Sequence, residues 1–182
     1  MNVKLECEIV TPMFMAGADG NSPELRPTEF KGMMRFWWRA AKAEDDIEQL
    51  RKKEAKIFGG AGETEGKSRI SLKILCDYKR FQNFLGADLR NDYKLRWSFD
   101  REKHTLIGDH SGIGYLLYST TLGQGRKYIK EGFKFEILLS SFCEQELKEA
   151  LASLWLAVYL GGFGTRARRG GGNLAINNIQ AE

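Results

Sequence analysis

A short segment late in the chain, Gly161–Gly172, combines the two residue types best suited to holding a polyanion. It contains six of the 20 glycines, three arginines and no acidic residue. Glycine lets the backbone approach a ligand closely, and the planar arginine fork matches two phosphate oxygens. The alternative is a surface loop with solvated arginines. We predict a phosphate cradle formed by these residues: Gly162, Phe163, Gly164, Thr165, Arg166, Arg168, Arg169 and Gly170.

A second group of cations lies on a predicted helix over Thr28–Lys42. Lys31, Arg35 and Arg39 are four residues apart, so at roughly 1.5 Å per residue they align over about 12 Å. Such a line could meet about two or three phosphates of a nucleic-acid strand, and Trp38 at its border could stack on an unpaired base. The alternative is a solvated helix face opposite a core face, which we assign to these residues: Phe30, Met33, Met34, Trp37, Ala40 and Ala41.

Catalytic residues are sparse in the sequence. RNA cleavage without a metal would need a general base such as His104 or His110, and both lie in a poorly patterned stretch where exposed loop histidines are the simpler interpretation. The three cysteines are far apart and lack metal-site spacing, so we expect buried thiols, no metal and no cofactor. They are Cys7, Cys76 and Cys143.

The bulk properties describe a mildly basic globular protein of 182 residues with a net charge of +4. This length suits one domain over residues 1–182. No run of about 18 apolar residues is present, so we expect no contact with a membrane. The first ten residues alternate between apolar and charged types, which is wrong for a signal peptide, and we therefore expect a cytoplasmic protein.

The alternation and helical spacing of apolar residues predict the elements that position these residues. Strands are predicted at Asn2–Thr11, Ser68–Tyr78, Tyr115–Thr121, Phe133–Phe142 and Leu174–Ile179. The third and fourth of these strands would form a hairpin across Gly123–Gly125. Helices are predicted at Thr28–Lys42, Asp45–Ile57 and Glu144–Leu160. With residues 79–112 as an insertion, the order is that of an α+β, ferredoxin-like βαββαβ fold, with a glycine-rich loop before the last strand. Two helices would cover one face of an antiparallel sheet.

RRM domains share this strand order and stack bases on aromatic residues of the third strand. The corresponding stretch here, Glu131–Ile137, begins with an acid and places Lys134 and Glu136 where small and aliphatic residues belong. We therefore expect loops and helices, rather than the sheet, to contact nucleic acid.

Two motifs together resemble one family. Thr11-Pro12 followed by a K-G-x-x-R-F-W-W-R helix at Lys31–Arg39, and the late glycine-rich loop at Gly162–Gly170, are similar to the RAMP subunits of type III-B CRISPR (Cmr) effector complexes. The resemblance implies a non-catalytic subunit in antiviral defence. It would bind single-stranded crRNA or target RNA near the 3′ end of the guide, beside other RAMP subunits. Members usually carry a second ferredoxin-like domain, whereas this sequence supports one.

Two other functions remain open from the sequence. One is a RAMP-fold endonuclease that processes guide precursor RNA with His104 or His110 as the base. The other is an assembly protein whose basic surfaces contact acidic neighbouring subunits while RNA is held elsewhere.

Overall fold

The computed structural model describes residues 1–62, 65–121 and 125–181. Its strands are β1 (Asn2–Ile9), β2 (Ser71–Leu75), β3 (Leu85–Gly86), β4 (Ser98–Asp100), β5 (Thr105–Ile107), β6 (Tyr128–Ile129), β7 (Lys134–Ser140) and β8 (Leu174–Ala181). Its helices are α1 (Pro27–Lys42), α2 (Ile47–Phe58), α3 (Tyr78–Asn83), α4 (Leu89–Asp92), α5 (Ser111–Leu116) and α6 (Glu144–Leu160). Short 3₁₀ turns cover Tyr118–Thr120 and Ala167–Arg169.

The main sheet has four strands in the order β2-β7-β1-β8, and each neighbouring pair is antiparallel. β1 therefore lies between two strands from the C-terminal third of the chain. Leu5 of β1 pairs with Ile137 of β7 on one side and with Ile179 of β8 on the other. The predicted α+β class with an antiparallel sheet is confirmed.

The two faces of this sheet differ in chemistry because successive side chains of a strand point to opposite sides. Leu5, Ile9 and Ile137 are fully buried on the face that joins the helices in the core. The other face carries ion pairs, among them Lys4 with Glu136 at 3.3 Å. Phe133 and Phe135 belong to the core cluster, so neither ring is available on the open face of the sheet for a nucleobase.

Helix α1 packs against α6 through Trp38, which is only 3% exposed. The indole Nε1 of Trp38 donates a hydrogen bond of 2.8 Å to Glu149, and Lys42 lies 3.0 Å from the same carboxylate. The buried face of α1 is centred on Phe30, Met34 and Trp38. The predicted core face was wrong at two positions, since Ala40 and Ala41 are exposed.

Helix α2 follows α1 closely, and it begins two residues and ends one residue after the predicted bounds of Asp45–Ile57. The carboxylate of Asp46 accepts hydrogen bonds from the amides of Glu48 and Gln49, which satisfies two donors at the start of the helix. The helix stops at Gly59, as the Gly59-Gly60 pair predicts. Its buried residues include Glu54, an acid whose position matters for the candidate site.

The segment between β2 and β7 differs from the prediction. The predicted strand Tyr115–Thr121 is wrong, because helix α5 and a 3₁₀ turn occupy this stretch. Gly114 allows α5 to approach Trp97 closely, since a Cβ there would lie 2.8 Å from the indole. The excursion from the main sheet thus continues past residue 112 to β6, which pairs with β3. The predicted turn at Gly123-Gln124 lies outside the described residues.

Candidate nucleic-acid interface

The segment Gly161–Gly172, here called the Gly-Arg loop, begins inside the core. Phe163 is fully buried, and its ring stacks on Phe30 of α1 with the centroids 4.4 Å apart. Gly162 is also buried. These two residues were predicted to contact RNA, and that prediction needs correction because a ligand at the surface does not reach them. They anchor the loop instead.

Backbone hydrogen bonds fix the path of the Gly-Arg loop. The amide of Thr165 donates a hydrogen bond of 2.9 Å to the carbonyl of Phe14. The amide of Gly172 donates one of 3.0 Å to the carbonyl of Pro12. Gly164 has φ of +84°, and a Cβ there would lie 2.6 Å from the Phe14 carbonyl oxygen. Only glycine is tolerated at such a position. The loop is therefore held against the segment that follows β1.

The outer part of the loop presents its arginines to solvent around the 3₁₀ turn. Arg168 lies over the ring of Phe36 on α1, with 5.3 Å between guanidinium carbon and ring centroid. Arg169 lies over Tyr115 of α5 at 5.4 Å. Arg166 donates from Nε to the hydroxyl of Ser119 at 2.9 Å. The arginines thus reach α1 and the α5 region, and Gly170 between them and the core is exposed.

Sequence reasoning missed several residues of this surface. Arg126 donates from Nη1 to the Thr165 hydroxyl at 3.3 Å, which adds a fourth guanidinium. Phe36 and Tyr115 are 39% and 63% exposed and give the surface its aromatic character. The Arg126-Lys127 pair close to a glycine was a usable signal. The contact of Tyr115 with Arg169 depends on the formation of helix α5, which the sequence pattern did not predict.

The four arginines of this surface form no ion pair with a carboxylate in the described ranges. Ion pairs there join other residues, and none involves Arg126, Arg166, Arg168 or Arg169. Aromatic rings and hydroxyls neutralise no charge. The surface therefore keeps its positive potential and is suited to a polyanion.

The cations of α1 are arranged differently, and the prediction of a free line of charge is wrong. Arg35 and Arg39 both pair with Glu54 of α2, at 3.2 Å and 2.8 Å. Arg35 also donates to the carbonyl of Phe58 at 2.7 Å. The Glu54 side chain is only 10% exposed, so these arginines compensate a largely buried carboxylate. They hold α2 against α1.

Lys31, the third residue of the predicted line, is also engaged within the chain. Its Nζ donates to the hydroxyl of Ser68 at 2.7 Å and to the carbonyl of Ile70 at 3.0 Å. Burial, together with the charge of Arg35, lowers the pKa of Lys31. Trp38 is buried against α6, so the predicted base stacking on its ring is wrong as well.

The contribution of α1 to the surface is therefore its aromatic face. The predicted line of cations faces α2 and the start of β2, whereas the Gly-Arg loop meets α1 at Phe36 and Trp37. A Cβ on Gly161 would lie 2.6 Å from Nε1 of Trp37, which shows how closely the loop approaches the helix. The loop and the cationic line do not form one trough.

The two histidines, His104 and His110, lie in the segment between β4 and α5. Nδ1 of His110 accepts a hydrogen bond of 3.1 Å from the backbone amide of Arg96. His104 is exposed in the turn between β4 and β5. Residues 1–62, 65–121 and 125–181 contain no group of three or more side chains placed to bind a metal ion. In the same ranges no helix is long and apolar enough to cross a membrane.

Comparison with known proteins assigns the chain to a family. The family model of the RAMP superfamily matches residues 6–175. CRISPR system Cmr subunit Cmr1-2 of Pyrococcus furiosus is 34% identical over 190 residues, which cover 96% of this chain and 95% of that protein. The chain belongs to the RAMP superfamily. Within it, the chain is a homologue of the Cmr1 subunits of type III-B CRISPR complexes.

Solved structures share the fold of this chain. The apo crystal structure of Cmr1 from Pyrococcus furiosus matches with a TM-score of 0.67 and 25% identity, over all of this chain and 51% of that one. A chain in the cryo-EM structure of the type III-B Cmr-beta complex bound to cognate target RNA and AMPPnP matches with a TM-score of 0.61 and 20% identity, over 55% of its length. This chain spans about half the length of these solved relatives.

Proposed function

We propose that this protein is a non-catalytic RNA-binding subunit of a type III-B CRISPR ribonucleoprotein complex. It would hold single-stranded crRNA or target RNA near the 3′ end of the guide, beside other RAMP subunits, during cytoplasmic antiviral defence. The observation that carries this proposal is that Arg166, Arg168 and Arg169, on a loop fixed by the core, form no ion pair with the residues that the structure describes.

The relatives supply the biological context for the proposal. One Cmr1 homologue covers nearly the same length as this chain, and a structure of similar fold comes from a Cmr complex bound to cognate target RNA. The sheet order and the sequence of main elements also support a ferredoxin-like βαββαβ core into which the segment between β2 and β7 is inserted.

The chemistry of the loop supports RNA over an acidic protein partner. Guanidinium groups bind phosphate oxygens in a planar, two-point geometry and also stack on rings. Here each of two neighbouring arginines lies over an aromatic ring. Cations beside exposed aromatic rings form the usual surface for single-stranded nucleic acid, where the backbone is neutralised and bases stack.

The test is the joint replacement of Arg166, Arg168 and Arg169 with Ala in the full chain. We expect at least a tenfold loss of affinity for a single-stranded RNA in a filter-binding assay at constant salt. The matched control removes three exposed lysines near α2, by replacing Lys52, Lys56 and Lys67 with Ala, so that the net charge falls equally.

The control separates a site from a general effect of charge. Wild-type affinity in the loop variant would contradict the proposed interface. Equal losses in the loop variant and the lysine variant would show that net charge, rather than the Gly-Arg loop, determines binding. Crosslinks from RNA to other surfaces only would favour an assembly role.

A further inference from the structure

Gly32 has no role in the packing of the described chain, although it lies in the middle of α1. Glycine in a helix interior is less stable than alanine, so it requires a reason. A Cβ at Gly32 would meet no heavy atom within 4 Å, and the residue is exposed. No internal neighbour explains the glycine. The open space beside Gly32 leaves room for the close approach of a group outside the chain.

An aromatic ring and a guanidinium lie one helical turn from Gly32. Phe36 follows Gly32 by four residues on the same side of α1, and the space directly beside Gly32 is open. Arg168 lies over that ring, which is 39% exposed. The result is a partly exposed ring, paired with a guanidinium, one helical turn from an exposed glycine.

The same combination occurs a second time, on α5. Gly112 is exposed with nothing within 4 Å of its Cβ position, Tyr115 follows three residues later, and Arg169 lies over the tyrosine ring. Gly114 of the same helix differs, because Trp97 fills the space beside it. Two neighbouring arginines of one 3₁₀ turn thus lie over aromatic rings on two different helices. We call each ring with its arginine and the nearby exposed glycine a platform: Phe36, Arg168 and Gly32 form one, and Tyr115, Arg169 and Gly112 form the other.

We infer that each platform stacks one unpaired nucleobase of single-stranded RNA, with the ribose or base edge passing over Gly32 or Gly112. This inference rests on the proposed function and specifies how that site would engage its ligand. A flat base fits the ring and guanidinium pair, and an RNA backbone beside it meets the loop arginines. A side chain in place of either glycine would occupy the space that the nucleotide needs.

The test places a larger side chain at Gly32 in the full-length protein. We expect Gly32→Leu to keep or raise the melting temperature, because leucine favours a helix, and to weaken binding of single-stranded RNA at least fivefold. Gly112→Leu should weaken binding similarly. The matched control is Ala152→Leu, which adds bulk at an exposed position of α6 beside Trp38 and Lys42 and should leave affinity unchanged.

A second pair of variants tests stacking separately from steric access. Phe36→Tyr keeps a ring and should bind RNA within twofold of the wild type, whereas Phe36→Ala should lose at least fivefold. An oligonucleotide containing 2-aminopurine should show quenching on binding to the wild type, and less of it with Phe36→Ala.

The outcomes distinguish this inference from the function on which it rests. Wild-type affinity in Gly32→Leu, together with a tenfold loss in the triple loop variant, would overturn base stacking and leave the interface intact. Equal losses in Phe36→Tyr and Phe36→Ala would overturn it too. Wild-type affinity in both the glycine and the triple loop variants would remove the inference and the proposed function together.

Discussion

Nη1 of Arg39 lies 2.8 Å and 2.9 Å from the two carboxylate oxygens of Glu54, a contact that joins α1 to α2. Arg35 shares the same carboxylate. Two guanidinium groups around one largely buried acid form a structural clamp, because the carboxylate would otherwise be desolvated without compensation. The basic residues of the K-G-x-x-R-F-W-W-R helix thus stabilise the fold.

Loss of this clamp should reduce stability. We expect Glu54→Ala to lower the free energy of unfolding by about 2 kcal/mol, less than for a fully buried pair because Arg39 remains partly exposed. Urea unfolding followed by tryptophan fluorescence measures the change. Glu48→Ala, an exposed acid on the same helix, should change the free energy of unfolding by no more than about 0.5 kcal/mol.

The clamp also has a consequence for RNA binding. Arg39→Ala should keep RNA affinity within twofold of the wild type, because that guanidinium is paired with Glu54 inside the chain. A tenfold loss in this single variant, with the fold intact by circular dichroism, would return the α1 cations to the interface.

The salt dependence of binding should report the number of phosphates that the loop contacts. Each phosphate neutralised on a single strand contributes a slope of about 0.7 to the plot of log affinity against log salt. Replacing Arg166, Arg168 and Arg169 with Ala should therefore reduce the slope by about 2 if each contacts one phosphate. Binding measured at four or more salt concentrations gives the slope, and an unchanged value would contradict direct contacts.

The pairing of Trp38 and Lys42 with Glu149 should make stability depend on pH. Burial raises the pKa of this carboxyl, but the hydrogen bonds from Trp38, Lys42 and Gln145 outweigh it, so the folded-state pKa is below the ordinary 4.5. The stability gained from the ionised group is present above pH 4.5 and is lost as the pH falls through the folded-state pKa.

Glu149→Gln should therefore destabilise the protein by about 1 kcal/mol at pH 7. The difference from the wild type should shrink below pH 4.5 and vanish once Glu149 is protonated in the folded state. Thermal unfolding of both proteins at a series of pH values measures this. A difference that is constant from pH 7 to pH 3 would show that ionisation of Glu149 contributes nothing.

A nuclease role would require one of the histidines. We expect purified protein to leave guide precursor RNA intact in EDTA, with wild type, His104→Ala and His110→Ala giving identical gels. His110 already accepts a hydrogen bond from a backbone amide through Nδ1, which ties it to the local fold. Site-specific cleavage that disappears with either substitution would establish an enzyme instead.

The elements with simple periodicity could be predicted from the sequence. Strict alternation in Asn2–Ile9 predicts a strand with one buried face, and Gly59 predicts the end of α2. The Gly-Arg loop could be located because six glycines and three arginines within twelve residues are rare in a simple connection. These features could be predicted because they are determined by residues within the segment itself.

The errors arose where distant residues decide the outcome. The α1 cations have the spacing of a solvated helix face, but α2 folds back and places Glu54 between Arg35 and Arg39. The periodicity of the α1 sequence alone does not predict this contact with another helix. Phe36, Trp37 and Trp38 are consecutive, so apolar character alone could not identify Trp38 as the buried ring. Tyr115–Thr121 has strand-forming residues, yet its first two residues belong to α5, in which Gly114 packs closely on Trp97.

The central place of β1 in the sheet makes the fold depend on contacts distant in sequence. Its two partners are β7 and β8, so β1 is paired on both sides only when these later strands are in place. The Gly-Arg loop lies between α6 and β8, and Asn173 at its end accepts a hydrogen bond from Val10 just after β1. Contacts so distant in sequence form late. We therefore expect a chain that lacks β8 to leave the loop arginines unorganised and to lose the surface proposed to bind RNA.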